Sequence, residues 1–253
     1  MTLASTSPDV SHITAAILAG GLGTRLRAAI GERQKAAADV ADRPFVAWLL
    51  DQLSRAGIRK AVLCTGYQSE EVARRLGDEH AGMQVVHSAE PRPLDTAGGL
   101  AHALPHLESQ WLLVLNGDSY CGVDLAAFAA AVFASGTAGG IVLVHQDETA
   151  SYGRVEIDES HRIRRFIEKG ADADPGWINA GVYLLRRELL AEIPGGRPAS
   201  LEREMFPRWI VRGVVGYPCD SPFLDIGTPE RYAEAQAFFK NLTPRRLSAD
   251  GGS

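Results

Sequence analysis

Short apolar runs alternate with amphipathic stretches from Ile13 to His145 of the chain. A strand buried in a parallel sheet is a short continuous apolar run, whereas a helix that covers a sheet repeats its apolar residues every three or four positions. The short runs predict strands at Ile13–Leu18, Lys60–Thr65, Gln84–His87, Trp111–Asn116 and Gly140–His145. The stretches between them predict helices at Phe45–Ala56, ended by Gly57, at Ser69–Leu76, capped by its serine, and at Leu125–Ser135, capped by Asp124.

The pattern changes after His145, where polar turns separate most of the apolar runs. It predicts a hairpin of Arg154–Asp158 and Arg162–Ile167, a strand at Trp177–Leu185, a loop at Pro194–Pro198, a short helix at Ser200–Phe206 ended by Pro207, one short strand within Gly216–Gly227, and a final helix opened by Thr228, Pro229 and Glu230. The two patterns together predict an α/β fold, a Rossmann-like mixed, mostly parallel sheet flanked by helices.

A single domain with two lobes accounts for the change of pattern. We expect the domain to span residues 11–240, with halves of about 11–147 and 148–240, and the two ends, 1–10 and 244–253, to be flexible tails. The 253 residues are 45% hydrophobic, which is enough for one large α/β domain or for two small ones.

The net charge, the apolar runs and the cysteines indicate which kinds of partner and which cellular compartment to expect for this protein. The formal net charge of −5 weighs against a general nucleic-acid binder. No apolar run approaches the roughly 18 residues of a membrane span. Cys64, Cys121 and Cys219 lack metal-ligand spacing and fit a reducing compartment. We therefore expect a cytoplasmic protein without nucleic-acid or membrane partners, and a homodimer is compatible with the sequence.

A glycine-rich segment follows the first predicted strand and is the strongest chemical signal in the chain. It reads Leu18, Ala19, Gly20, Gly21, Leu22, Gly23, Thr24, Arg25. Glycines let the backbone approach a ligand closely, and bare N–H groups together with an arginine suit phosphate oxygens. The segment fits neither the dinucleotide fingerprint nor the P-loop. The sequence favours a triphosphate cradle, and the alternative is a tight turn with solvated arginines.

Two aspartates stand where an α/β enzyme holds a metal. Asp118 follows Asn116 and Gly117 directly after a buried strand, and Asp225 lies between apolar residues just before the last helix. Mg²⁺ favours one or two carboxylates together with substrate phosphates and water. The alternatives are a plain turn at Asp118 and a structural cap at Asp225.

Further segments have the composition of a small-molecule wall, although each also has a purely structural interpretation. Lys35 and the Glu168–Lys169 pair are candidates to place charge beside an anionic ligand. The alternative is that they are ordinary surface charges. The remaining candidates offer small residues, amides and aromatic faces: Thr65 and Gly66; Pro93, Thr96 and Ala97, where Thr96 is also a candidate helix cap; Tyr152 and Gly153; and Asn179, Ala180 and Gly181.

The order of these segments resembles that of the sugar-1-phosphate nucleotidyltransferases (nucleotide-sugar pyrophosphorylases) over about residues 13–240. That family carries G-x-G-T-R-L followed at about ten residues by a lysine, here Lys35. The segments Trp177–Leu185, Ser200–Pro207 and Phe223–Tyr232 look most like the D-glycero-D-manno-heptose-1-phosphate guanylyltransferase branch. The resemblance implies that GTP and a heptose-1-phosphate yield a nucleotide sugar and pyrophosphate with Mg²⁺.

The resemblance also implies a role for each candidate residue. Arg25, Lys35 and Asp118 would be catalytic, and Asp118 and Asp225 would bind Mg²⁺. The nucleotide would contact Leu18, Ala19, Gly20, Gly21, Gly23, Thr24, Arg25, Thr65, Gly66, Pro93, Thr96, Ala97, Asn116 and Gly117. The sugar phosphate would contact Tyr152, Gly153, Glu168, Lys169, Asn179, Ala180 and Gly181. The first half of the domain would thus bind the nucleotide and the second half the sugar phosphate.

One departure from the family pattern concerns the lysine. The family usually reads P-K-P, whereas here Gln34 precedes Lys35 and three alanines follow it. Proline fixes the backbone, whereas alanine favours helix or mobility, so the aim of Lys35 is open at this point. The alternative function is therefore a non-catalytic nucleotide-sugar-binding or regulatory homologue.

Two other enzyme classes fit the sequence less well. A metal-dependent glycosyltransferase typically has Asp-x-Asp, and Tyr120 stands at the second position. A dehydrogenase requires the missing dinucleotide fingerprint. The residues leave the base open among G, C, A, T and U, and they leave the sugar open as well.

Overall fold

The computed structural model describes residues 8–21, 26, 34–167 and 174–242, and the structural statements that follow concern these residues. The strands are β1 (Thr14–Ala19), β2 (Asp39–Val40), β3 (Arg43–Pro44), β4 (Lys60–Thr65), β5 (Glu79–His80), β6 (Met83–Ala89), β7 (Trp111–Asn116), β8 (Ser119–Cys121), β9 (Gly139–Gln146), β10 (Arg154–Ile157), β11 (Ile163–Ile167), β12 (Gly176–Arg186), β13 (Val214–Cys219) and β14 (Phe223–Asp225).

Helices cover the sheet and connect its strands. The α-helices are α1 (Phe45–Arg55), α2 (Ser69–Leu76), α3 (Asp95–Ala103), α4 (Leu125–Ser135), α5 (Arg187–Ala191), α6 (Phe206–Trp209) and α7 (Pro229–Leu242). Short 3₁₀ turns lie at Lys35–Ala37, Leu104–His106 and Ile210–Arg212, and a π-helical turn lies at Leu201–Met205. No helix among the described residues is both long and apolar enough to cross a membrane.

Ten of the described strands form one mixed sheet with a parallel centre. Its main path runs β11-β10-β12-β7-β1-β4-β6-β5, and β9 joins β12 to β13. The pairs β7–β1, β1–β4 and β4–β6 are parallel, whereas β12 is antiparallel to β7 and β9. Two small antiparallel pairs, β2–β3 and β8–β14, lie outside this sheet. The predicted Rossmann-like sheet flanked by helices is confirmed.

The core lies on both faces of the sheet, which explains why its central strands are continuous apolar runs. In β1, Ala15 and Ile17 pack into the cluster on one face, and Ala16 packs into the cluster on the other. Burial on both faces removes the alternation that a strand with one solvated face would show. The carboxyl ends of β1, β4, β6 and β7 therefore meet at one edge, where open α/β sheets bind ligands.

Most predicted elements are confirmed, several of them at their predicted bounds. Strand Trp111–Asn116 and helices Ser69–Leu76 and Leu125–Ser135 match their predictions. The Asp124 side chain caps its helix by accepting from two backbone amides. The hairpin after His145 forms as β10 and β11.

Three local predictions were wrong. Ser69 does not cap α2, because Gln68 occupies the cap position in a left-handed conformation and Ser69 is already helical. Pro207 does not end a helix; it lies in the first turn of α6, where its missing N–H costs nothing. The segment Gly216–Gly227 contributes to two strands rather than one, because β13 pairs with β9 while β14 turns away to pair with β8.

Candidate active site

A cleft of about 370 Å³ opens at the carboxyl edge of the parallel strands. Its walls come from the ends of β1, β4, β6 and β7, from the turn that begins at Gln34, and from the start of α3. The lining residues are Leu18, Ala19, Gly20, Gly21, Gln34, Lys35, Ala36, Cys64, Glu90, Pro93, Asp95, Thr96, Gly99, Asn116, Gly117 and Asp118. The glycine segment and the first candidate metal aspartate therefore share one cavity.

Gly117 brings the end of β7 against the end of β1. Its amide donates to the Leu18 carbonyl at 2.8 Å, and a Cβ at this position would lie 2.6 Å from that same oxygen. Only glycine allows this approach without displacing the backbone. The turn that presents Asp118 to the cleft is thus fixed to the strand that leads into the glycine segment.

Lys35 and Asp118 form an ion pair inside the cleft. The Lys35 Nζ lies 3.1 Å from Asp118 Oδ2, and the two side chains are 14% and 44% exposed. The aspartate is therefore accessible to a ligand, and the lysine, although largely buried, lines the same wall. Sequence alone left the aim of Lys35 open, and the structure places it in the cleft.

Packing of the three alanines that follow Lys35 accounts for this placement. Ala36, Ala37 and Ala38 are each at most 2% exposed. Arg75 donates to the Ala37 carbonyl at 2.6 Å, and the Phe45 amide donates to the Ala38 carbonyl at 2.9 Å. Tertiary contacts thus hold the Lys35 turn that proline would otherwise stiffen.

Asp225 lies on the strand beside Asp118. In the β8–β14 pair it stands opposite Ser119, and the Ile226 amide donates to the Asp118 carbonyl at 2.9 Å. Its carboxylate accepts from the Gly227 amide at 2.8 Å and pairs with Arg231 at 2.9 Å. The described residues contain no group of three or more His, Cys, Asp or Glu that could hold a metal. A cation here would therefore need ligands from substrate, as Mg²⁺ prefers.

Tyr152 and Gly153 are not among the residues that line the cleft, and Tyr152 lies near Asp225 and Arg231. The Arg231 guanidinium stacks over the Tyr152 ring at 4.3 Å. Burial, and secondarily the neighbouring Asp225 carboxylate, raise the pKa of the Tyr152 hydroxyl. Tyr152 therefore stays protonated at neutral pH.

A bulge in β12 places Asn179, Ala180 and Gly181 against the Asn116 turn. Gly181 has φ +73°, and a Cβ there would lie 2.8 Å from Asn116 Nδ2. The Asn179 side chain accepts from the Gly181 amide and donates to the Tyr183 hydroxyl, both at 2.9 Å. Asn116 Oδ1 is buried without a hydrogen-bond partner. The bulge thus borders the cleft, and Asn116 Oδ1 is a hydrogen-bond acceptor without a partner in the cleft wall.

Glu90 is a lining residue that sequence reasoning missed. It follows β6 directly, and its carboxylate lies against Gly20 and Gly66, where a side chain on either glycine would collide with it. Its Oε2 accepts from the Leu94 amide at 2.9 Å. Burial raises the pKa of Glu90. The sequence did contain a signal for Glu90, because it is an acid that directly follows a strand, and Asp118 was predicted from a similar position.

The remaining predicted residues fall into two groups. Thr65, Gly66 and Ala97 are absent from the cleft lining, and the Ala97 amide is used by the Ala199 carbonyl at 2.9 Å. Gly23, Thr24, Arg25, Glu168 and Lys169 lie outside the described residues.

The sheet and the cleft at its carboxyl edge define a nucleotide-binding type of α/β protein. The family model described as nucleotidyl transferase matches residues 14–241, and the chain belongs to this family.

The most similar relatives include sugar-1-phosphate guanylyltransferases. The chain is 34% identical to mannose-1-phosphate guanylyltransferase of Mycobacterium tuberculosis over 89% of its own length and 64% of the relative's. It is 30% identical to D-glycero-alpha-D-manno-heptose 1-phosphate guanylyltransferase of Campylobacter jejuni, over 86% of this chain and 96% of that one. The chain therefore spans about two thirds of the mycobacterial relative but nearly all of the Campylobacter one.

Solved structures agree with the family assignment. HddC from Yersinia pseudotuberculosis, in a complex with GMP-PN, superposes with a TM-score of 0.80 at 28% identity, covering 90% of this chain and 99% of that one. A putative glucose-1-phosphate thymidylyltransferase from Bacillus anthracis, at 19% identity and a TM-score of 0.81, supports the fold alone.

Proposed function

We propose that this protein transfers a guanylyl group from GTP to a heptose-1-phosphate and releases pyrophosphate. The observation that carries the proposal is the Lys35–Asp118 pair in a cleft walled by the glycine segment. Relatives of both the mannose and the heptose type match the chain. We favour the heptose type because the segments Trp177–Leu185, Ser200–Pro207 and Phe223–Tyr232 look most like that branch and because two heptose-1-phosphate guanylyltransferases are among the relatives. No observation favours the non-catalytic alternative.

The reaction needs positioning and charge neutralisation rather than a general base. A phosphate oxygen of the sugar-1-phosphate is already an anion, and it attacks the α-phosphorus in line while pyrophosphate leaves. Lys35 offsets the negative charge that gathers between the two repelling phosphates. The glycine segment lets the triphosphate approach the backbone closely.

Asp118 and Asp225 are the residues that would hold Mg²⁺. They suit the cation because Asp225 lies on β14, which pairs with the strand directly after Asp118, and because the exposed Asp118 lines the cleft. When bound, the cation would draw negative charge from the phosphates of the triphosphate. Asp225 would first have to share its carboxylate with Arg231, which now pairs with it.

Glu90 supports guanine as the base. The guanine edge presents two adjacent donors, N1–H and the N2 amino group, and one carboxylate can accept from both. The adenine edge presents one donor beside an acceptor, which a carboxylate would repel. Glu90 Oε2 already binds the Leu94 amide, and its other oxygen lies beside Gly20 and Gly66 in the cleft wall.

We expect E90Q to lower kcat/KM for GTP by about 10- to 100-fold, the value of a charge-assisted hydrogen bond, with little change for ATP. Because burial raises the pKa of Glu90, the preference for GTP should also decline as pH falls through that raised value. Steady-state rates with each triphosphate measure both effects. E108Q, at an exposed surface pair, is the control. An equal loss for GTP and ATP would remove Glu90 from base recognition.

The proposed function is tested by pyrophosphate release with Mg²⁺, using each nucleoside triphosphate against heptose-, mannose- and glucose-1-phosphates. Release with GTP and the heptose substrate is the expected result. Release with another pair would keep the reaction and change its specificity. Nucleotide binding without release from any pair would overturn the assignment as an enzyme.

A further inference from the structure

A hydrogen-bonded cluster centred on Glu202 lies beside the cleft and has no part in the chemistry described so far. Glu202 is on the π-helical turn Leu201–Met205. Its Oε2 accepts from the hydroxyls of Thr96 at 3.1 Å and Ser200 at 3.2 Å, and its Oε1 faces the Tyr183 hydroxyl at 3.4 Å. Thr96 also lines the cleft.

The charge on Glu202 has no cationic partner among the described residues. Two other acids near it are paired, Asp95 with Arg203 at 2.7 Å and Glu204 with Arg197 at 3.0 Å. Glu202 is only partly exposed and receives neutral hydroxyl donors alone. A carboxylate in such surroundings is a strong acceptor for further hydroxyl groups.

The cluster continues to the cleft wall from the side of β12. Tyr183 is fully buried and accepts from Asn179, whose bulge abuts Asn116. Asn116 supplies the buried oxygen that lacks a partner. Carboxylate, amide and hydroxyl groups of this kind can exchange hydrogen bonds with the hydroxyl groups of a polyhydroxylated ligand.

We infer that Glu202 is a specificity-determining residue that accepts hydrogen bonds from hydroxyl groups of the sugar in the sugar-1-phosphate. Only the identity of the ligand rests on the proposed function. The buried Tyr183 and Asn179 position the cluster, and Thr96 joins it to the nucleotide side of the cleft.

The test is calorimetric binding of mannose- and heptose-1-phosphate in the presence of a non-hydrolysable GTP analogue. We expect E202Q to weaken sugar-1-phosphate binding by about 10- to 100-fold, the value of a hydrogen bond to a charged group, while affinity for the GTP analogue stays unchanged. E204Q removes the same charge two residues away on the same turn and should leave sugar binding unchanged.

Sugar-1-phosphate analogues that each lack one hydroxyl distinguish a direct contact between Glu202 and the sugar from a purely structural role of Glu202. The analogue missing the contacted hydroxyl should bind wild type weakly, and E202Q should add no further loss. Equal sugar affinity in E202Q and wild type, or parallel loss of sugar and nucleotide affinity, overturns the inference. Binding is measured without turnover, so the two proposals can fail separately. A wild-type protein that binds the sugar phosphate but releases no pyrophosphate would refute the proposed reaction and leave the Glu202 contact with the sugar intact.

A second, independent observation concerns two cysteines beside the aspartates. Cys121 ends β8, and Cys219 ends β13; their Sγ atoms lie 3.9 Å apart. Cys121 stands opposite Phe223 in the β8–β14 pair that carries Asp225. Cys219 is partly exposed, whereas Cys121 is buried. A hydrogen bond with Cys121 lowers the pKa of the Cys219 thiol below its usual value.

We propose that Cys121 and Cys219 form a reversible disulfide that turns the site off under peroxide. The Cys219 thiolate attacks hydrogen peroxide to give a sulfenic acid and hydroxide, and the Cys121 thiol then displaces water from that sulfur, so two thiols and one peroxide give one disulfide and two waters. The bond requires the sulfurs to close to about 2.05 Å, which pulls on β13 and on β8, the strand that follows Asp118 and pairs with the strand of Asp225.

Peroxide treatment should lower kcat by about 10- to 100-fold, as a displacement near 1 Å does in a catalytic site, and dithiothreitol should restore it. Peptide mapping should find the cross-link with the loss of two hydrogen atoms. C121S and C219S should keep the activity of the reduced protein and resist peroxide. Absence of the cross-link, or a cross-linked enzyme with unchanged kcat, overturns the proposal.

Discussion

Substitution D118A should lower kcat for pyrophosphate release by about 100- to 1,000-fold while the protein remains folded. Asp118 is the exposed carboxylate of the cleft, and Lys35 is the cation beside it. Removing it would take away a proposed ligand of Mg²⁺ and the partner that holds Lys35 in place. Because the side chain is 44% exposed, the loss should fall on activity rather than on stability.

The measurement is turnover as a function of Mg²⁺ concentration, accompanied by thermal unfolding. The melting temperature should stay close to that of wild type, and higher Mg²⁺ should not restore activity. D78A, which removes a carboxylate with a 96% exposed side chain, serves as the control for charge. Turnover equal to wild type in D118A would eliminate this aspartate as a metal ligand.

Substitution K35A should lower kcat by a similar factor of about 100 to 1,000, with less than about a threefold change in KM for the sugar-1-phosphate. The Lys35 charge acts on phosphates that approach each other only in the transition state. An interaction made only there reduces kcat and kcat/KM together and leaves ground-state binding alone.

Steady-state kinetics with each substrate varied in turn distinguish this role from simple binding. K60A, which removes a lysine from a surface pair with Glu108, is the matched control. K35R should recover only part of the rate, because the guanidinium keeps the charge but not the shape of the ammonium group. If K35A raised KM and left kcat intact, Lys35 would be a binding residue only.

The sequence predicts the sheet well because its central strands are buried on both faces. Trp111–Asn116 and Lys60–Thr65 are continuous apolar runs with polar ends, so their limits are visible without any knowledge of the packing. The carboxyl edge follows from the same runs, and with it the position of Asp118. Because open α/β sheets bind ligands at the carboxyl ends of their strands, predicting the strands also predicts the location of the site.

Features that depend on tertiary contact could not be predicted. The Lys35 turn is held by Arg75 and by buried alanines, and nothing in the local sequence shows those partners. The division of Gly216–Gly227 into two strands depends on β8, which is distant in sequence. Glu90 was accessible in principle, because an acid directly follows β6 just as one closely follows β7.

The pairing of β12 with β7 and of β14 with β8 has a consequence for synthesis on the ribosome. Strands β12 and β14, which pair with β7 and β8, are synthesised late. A nascent chain that ends near His145 therefore presents β7 as an open sheet edge with unpaired amides and carbonyls. Asp225 joins Asp118 only after β14 has left the exit tunnel. The two carboxylates proposed to hold Mg²⁺ are therefore not together until late in translation.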